Sequence, residues 1–599
     1  MFGFGFKFGF GASYPGGGGA PTFDYYVDSV SGSDSNDGTS EATAFATFDA
    51  AKAAVSPGGT ISVKRGSSFR AQWNLDKAIN LTTYGAGDPV VIDGADEVTD
   101  TWTQPDAATY PDVWSVSWTR DSAAPAATET LQFWADDVKQ TRQSSLANLQ
   151  ANGGWMADNY TAQTTNIYIK SATNPNSNGV LYEASKRDRA IHWHGTGYTC
   201  HVEGPFELKR CHGHYGVLSA GPGSCKKILL RDGTIHHTVS EAEVMEDIVA
   251  LGMPNYAPYG EFIPLTAYAI DGTGFNPVWK RCFVVGAGAT INHSGFYAHA
   301  SGGTRPASVR VEQSAIINAQ NGVRAEADAF TGDGLYIEGC GGTVAITQPT
   351  STVTRSIIRN SVSQGTTRGM FDGGPTDTAA KTRTVTDCVF YLLDLISDPH
   401  IRAAYRNGTI AIENNTFFSD SATTVNSTAA LNASAATGTD LSLDFNSNVI
   451  VRKQSGGVAN TAIVTGTLPL DSDKNLWLGY TVVDMSYNAV NYRNLVTAWQ
   501  PAGYDTNSVH LSQADSLATI RANDFAGDPQ AGDFRLADLS GKGAFGDGSA
   551  LITAGPQTHW DWSARASAAG APQAWPTVPR TLSDARTYIA DPEAWAFYA

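Results

Sequence analysis

The sequence predicts an all-β fold wound as a solenoid of stacked parallel strands, and three observations predict it. A short phrase recurs: an apolar strand, a small or polar residue, a second apolar strand, then a turn. It reads KRCFVV around Cys282, EQSAII around Ser314, IEGCGG around Cys340, TRSIIR around Ser356, TDCVFY around Cys388, ENNTFF around Asn415 and NSNVIV around Asn448. The steps between these anchors are 32, 26, 16, 32, 27 and 33 residues, and self-similarity at roughly 20 to 50 residues marks a stacked repeat. Each repeat is rich in Val, Ile, Thr and Phe, is broken by Gly, Asn and Asp, and lacks apolar spacing of helical period, so the repeating unit is made of strands.

Strands this short cannot bury an apolar face alone. Stacking coil on coil at about 4.8 Å gives each backbone group a partner above and below and closes an inner apolar column. Asn, Ser and Cys suit that column, because an Asn amide can ladder to neighbouring coils and a thiol packs as a small apolar filler. The step of 16 is too short for a full coil, so either Cys340 or Ser356 is out of register.

Composition narrows the function. The 40 basic and 58 acidic residues give a net charge of −18, which argues against nucleic acid or an anionic membrane as the partner. The 61 glycines and 16% charged residues fit turn-rich β structure. Six cysteines, at 200, 211, 225, 282, 340 and 388, show no metal-ligand spacing and read as buried free thiols. No apolar stretch of membrane-spanning length exists, and the first residues lack the continuous apolar segment of a secretory signal.

Along the chain, residues 1–22 form a Gly/Phe-rich flexible anchoring arm, either a disordered tail or an assembly peptide. Gly/Phe openings with a poly-Gly hinge resemble those of some phage structural proteins. Residues 23–99 are expected to hold an N-terminal cap and the first coils. Their order is YYVD, SGSDSNDGTS, a helix near Phe45 to Val55, PGGTISVKRGSSFR and YGAGDPVVIDG. This order resembles the opening of right-handed parallel β-helix proteins of the pectate-lyase-like group. Residues 100–186, rich in Trp, read as a small β insertion, 187–475 as the parallel β-helix, and 476–549 as a closing segment similar to that of carbohydrate-active β-helix proteins. Residues 550–599 fall outside the resemblance and are expected to form a terminal cap or an oligomer contact.

No phosphate-binding, zinc-protease, nucleophile-elbow or dinucleotide motif occurs, so the site has to be sought in strand geometry. One strand per coil follows a Gly. Alternation that places Val217, Phe296, Val323, Met370 and Ile401 inward sends Tyr297, His299, Arg324, Glu326, Asp328, Phe371 and Arg402 outward. Aromatic faces pack on sugar rings, and charged forks orient hydroxyls and carboxylates. Tyr297, Phe371 and Arg402 are therefore expected to bind substrate. Glu326 and Asp328, two apart on one strand with Cα atoms roughly 6.6 Å apart, would suit the acid and base of glycoside hydrolysis, whose carboxyls stand about 5 to 9.5 Å apart. In a lyase, Arg324 would neutralise a uronate carboxylate and His299 would take the adjacent proton.

The pairs His192/His194, His212/His214 and His236/His237 lack a third ligand, so no metal is expected. Nor is a cofactor expected, although Asp271, Asp328 and Asp372 would suit calcium, as the resemblance implies. Three readings remain open. One is a virion spike or fibre, a homotrimer held to other virion proteins by the arm, that binds or depolymerises cell-surface polysaccharide. Another is an extracellular bacterial polysaccharide lyase or glycoside hydrolase, and the third is a non-catalytic decoration or adhesin.

Overall fold

The computed structural model describes residues 23–121, 131–160, 162–193, 197–212, 218–219, 222–232, 242–253, 265–268, 276–286, 294–299, 306–319, 321–325, 327–340, 342–346, 350–359, 368–372, 380–392, 401–419, 431–446, 448–452, 460–465, 470–473, 475–478, 484–487, 490–492, 500–503, 508–511, 519, 522 and 578–595. Outside the region from 95 to 185 the described strands pair in parallel with strands of neighbouring coils; the one exception among them is the hairpin Asp484–Tyr487 to Val490–Tyr492. The fold is a parallel β-helix, as the repeat predicted.

Three sheets run its length. Sheet 1 passes through Val278–Lys280, Ser308–Glu312, Ala329–Asp333, Thr350–Thr354 and Ala380–Thr386. Sheet 2 passes through Phe283–Gly286, Ala315–Ile317, Tyr336–Glu338, Ile357–Arg359, Val389–Leu392, Thr416–Ser419 and Val449–Arg452. Sheet 3 passes through Leu265–Tyr268, Ser294–His299, Asn321–Ala325, Gly342–Ile346 and Arg368–Asp372, and continues in the first halves of Ile401–Glu413 and Leu431–Asn446. Alternate side chains fill the interior: Val284, Ile316, Ile337, Ile358, Phe390, Phe417 and Ile450 stack from sheet 2, facing Trp279 and Val311 from sheet 1 and Phe296 and Val323 from sheet 3. Burying each such side chain stabilises the fold by about 1.5–3 kcal/mol.

The turn from sheet 1 to sheet 2 explains the recurring phrase. Its first residue is left-handed in coil after coil, with φ of 51° at Arg281, 47° at Gln313, 48° at Arg355, 61° at Asp387 and 58° at Asn414. That conformation costs a non-glycine residue roughly 1–2 kcal/mol. The next residue is the anchor, and it offsets the cost by bonding coil to coil. Cys282 N–H donates to Ser314 Oγ at 3.0 Å, Leu335 N–H to Ser356 Oγ at 3.0 Å, and Cys388 N–H to Asn415 Oδ1 at 2.9 Å. The ladder continues from Asn415 to Asn448, then Asn475 and Ser508, beyond the last anchor read from sequence.

Cys340 is the anchor that was out of register. Leu335 occupies that place, 21 residues before Ser356, and Cys340 lies buried after the following strand with its thiol against Glu338 O at 3.5 Å. All six cysteines are free and buried, and burial pushes the thiols up, Cys200 to about 11 and Cys340 to about 12.

At the N-terminal end the helix Phe48–Ala54, capped by Thr47 accepting from Ala50 N–H, packs Phe48 and Ala51 into the same core as Ile61 and Val63. Phe48 stacks on Trp73 at 4.5 Å. The region from 95 to 185 folds as two antiparallel sheets, Trp155–Ala157/Thr164–Lys170/Val113–Thr119 and Val138–Lys139/Phe133–Ala135/Tyr182–Ser185/Ala95–Glu97. It has its own core of Trp102, Trp118, Phe133, Trp155, Ile167 and Ile169. Near the other terminus the helix Leu582–Ala590 opens with a capping box between Thr581 and Asp584. It lies along the outside of sheet 2, with Ala585, Tyr588 and Ile589 buried against Leu229, Val249 and Phe283. No helix among the described residues is long and apolar enough to cross a membrane.

Candidate functional site

The backbone of sheet 3 places the sequence-predicted stripe. Phe296 and Val323 are buried Cα partners, as the alternation required, and the same column runs on through Val344, Met370, Ile401 and Leu431. Val217 lies outside the described residues. One position along, Thr266, Tyr297, Arg324, Ala345 and Phe371 form a second column. Tyr297 and Arg324 therefore stand on successive coils about 4.8 Å apart, and Phe371 stands two coils beyond Arg324. Arg402 follows Ile401, the partner of Met370, and itself pairs with Asn432. His299 sits two residues from Tyr297 on the same strand and pairs with Tyr268.

Asp328 is not delivered as expected. The strand Asn321–Ala325 ends before it; Glu326 lies outside the described residues. Asp328 is an exposed residue in the bend that opens the next strand of sheet 1, its N–H donating to Pro306 O at 3.0 Å. The bend forms because the chain must turn from sheet 3 to sheet 1 within a short coil, and buried Ala327 anchors it. A Glu326/Asp328 pair on one strand is therefore not formed, and Asp328 is a turn residue.

Two features escaped the sequence reading. Thr266 and Asn432 share the stripe's register but carry no preceding glycine to flag their strands. On sheet 1, Asp444 and Asp471 are Cα partners on successive coils, too far apart in sequence to be read as a pair. Burial, reinforced by the charge of Asp471, raises the Asp444 carboxyl above the usual carboxylate range.

The histidines do not assemble a metal centre among the described residues. His212 is buried in the seat of the insertion, with Nε2 3.0 Å from Lys186 O and Nδ1 3.3 Å from an Arg120 nitrogen. Desolvation, helped by the Arg120 charge, pushes it down to about 3. Of the acidic residues considered for calcium, Asp271 lies outside the described residues, and Asp372 shares a register column with Ala298, Ala325 and Ile346.

Neither a protein-family model nor a curated protein matches the chain. Among solved structures, it is similar to "The complex structure of XylC with xylose" at 11% identity and a TM-score of 0.36, covering 73% of this chain and 85% of that one. A structure titled "Glycoside hydrolase" matches at 8% identity and a TM-score of 0.30, covering 75% and 96% of the two chains. The GH136 lacto-N-biosidase from Eubacterium ramulus matches at 11% identity and a TM-score of 0.25, covering 82% and 67%. Likeness at this level says nothing about substrate or reaction.

Proposed function

We propose that sheet 3 is a polysaccharide-binding face and that the chain is a virion spike or fibre that grips, and cleaves, an acidic glycan of a host surface. The observation that carries the binding face is the register of Tyr297, Arg324 and Phe371 in one column; the spike role rests on the Gly/Phe-rich sequence of residues 1–22 alone. Their backbone positions line up along the solenoid axis, Tyr297 one coil before Arg324 and Phe371 two coils after it, in the direction a glycan chain would lie. Of the two reactions weighed from sequence, β-elimination keeps its residues on one sheet. Arg324 would neutralise the uronate carboxylate, His299 would remove the proton from the carbon beside it, and the glycosidic oxygen would depart as the double bond forms. Two-carboxylate hydrolysis has lost Asp328 from the strand. An extracellular bacterial lyase would use the same face, and a non-catalytic adhesin would bind without turnover.

Incubation with uronate-containing and neutral bacterial capsular glycans, followed both by unsaturated-product absorbance and by reducing ends, tests the reading. Absorbance that disappears in His299→Ala and Arg324→Ala supports elimination, whereas reducing ends without absorbance support hydrolysis. Binding that survives without product leaves the adhesin. No binding to any glycan sinks the proposal. A solution mass of three chains is expected for the spike, and a monomer would favour the secreted enzyme.

A further inference from the structure

Charged side chains remote from sheet 3 form one unbroken line of contacts across three parts of the molecule. On the C-terminal helix, Arg586 donates to both oxygens of Glu207, at 2.7 and 3.0 Å. Glu207 lies fully buried in the coil and also accepts from Arg231 Nε at 2.6 Å. Another nitrogen of Arg231 stands 3.4 Å from Asp137. Asp137 belongs to the insertion, in the left-handed turn between the strands Phe133–Ala135 and Val138–Lys139. Arg210 reaches the same carboxylate at 3.1 Å while holding Asp93 at 3.0 Å and Glu183 at 2.9 Å, and Arg70 closes the line on Glu183 at 2.6 Å.

Arg231 is the shared member. It divides its donors between Glu207, which the helix neutralises from one side, and Asp137, which tethers the insertion; Asp232 occupies its remaining nitrogen. A buried carboxylate cannot lose one of two cations without drawing harder on the other, since an uncompensated buried charge is strongly unfavourable. We infer that the helix Leu582–Ala590 is a latch for the insertion: its Arg586 satisfies Glu207 and so leaves Arg231 free to hold Asp137. When the helix undocks, Arg231 is pulled toward Glu207 and the hairpin Phe133–Lys139 loosens. The coupling runs both ways, because linkage between two sites is reciprocal.

Hydrogen exchange on the full chain tests this. In Arg586→Gln, amides of residues 133–139 are expected to exchange about fivefold faster or more, together with those of 582–590, while the strand Val113–Thr119 keeps its wild-type rate. Asp137→Asn is expected to speed exchange in the helix in return, and the double variant is expected to fall short of the product of the single effects. Arg586→Lys, which retains a cation, is expected to restore part of the hairpin's protection. Arg586 and Asp137 are 42% and 52% exposed, so both variants should fold. Exchange confined to the helix in Arg586→Gln, or strictly multiplicative effects in the double variant, would overturn the inference.

Discussion

Asn415 and Asn448 are joined twice across successive coils: the backbone N–H of Asn415 donates to Asn448 Oδ1 at 3.0 Å, and the Asn415 side-chain amide donates to the same oxygen at 3.2 Å. Both residues are completely buried, and Asn448 also donates to Ile412 O at 2.9 Å. Asn448→Ala strands two donors and one acceptor without water. A loss of about 2–4 kcal/mol is expected in urea unfolding. A loss below about 0.5 kcal/mol would mean that the ladder contributes nothing net.

The cysteines make a second test. Each thiol is enclosed by its coil, and burial holds its proton on. The folded protein is expected to leave all six unreacted toward an aromatic disulfide reagent at pH 8, and the unfolded chain to release six equivalents. Any rapid equivalent from the native chain would contradict the packing described.

His212 gives a pH dependence with a definite sign. It is held neutral in the fold, down to about 3, whereas the ordinary value is 6.5. The unfolded chain therefore binds the extra proton first as pH falls. The contribution is fully present above pH 6.5 and is withdrawn between pH 6.5 and about 3, by up to roughly 5 kcal/mol. His212→Gln, which keeps a donor and an acceptor but cannot titrate, is expected to flatten the stability curve over that window. An unchanged slope would show that His212 is not the group responsible.

Arg324 separates binding from folding. Its strand neighbours Val323 and Ala325 are buried in the core, so Arg324→Ala is expected to melt within a degree or two of wild type. Affinity for an acidic oligosaccharide is expected to fall by roughly ten- to a hundredfold, the worth of a charged hydrogen bond. Equal affinity of the two proteins by calorimetry would remove Arg324 from the site.

The residues that made the fold legible are those whose chemistry repeats. Asn415 and Asn448 stand out in sequence because an amide in a β repeat has few other uses, while Leu335 fills the same place and leaves no polar mark. The coil at Cys340 was therefore read five residues late. That shift absorbed the glycine ahead of Gly342–Ile346 into an anchor phrase and concealed a whole strand of sheet 3. Alternation placed Phe296 and Val323 inward correctly because it needs only the strand itself. It failed at Asp328 because alternation carries no information about where a strand stops. The ion contacts of Glu207 and Arg231 were invisible, since their partners are brought together only by the winding of the chain.

Tyr588 donates its hydroxyl to Asp247, 341 residues earlier in the chain, at 2.7 Å. On the ribosome the coils carrying Asp247 and Phe283 emerge long before the helix that shields them. Their apolar flank stays uncovered while roughly 300 further residues are made. Uncovered apolar surface of this kind is where incomplete copies would adhere to one another, so late docking of the helix is the step that ends that exposure.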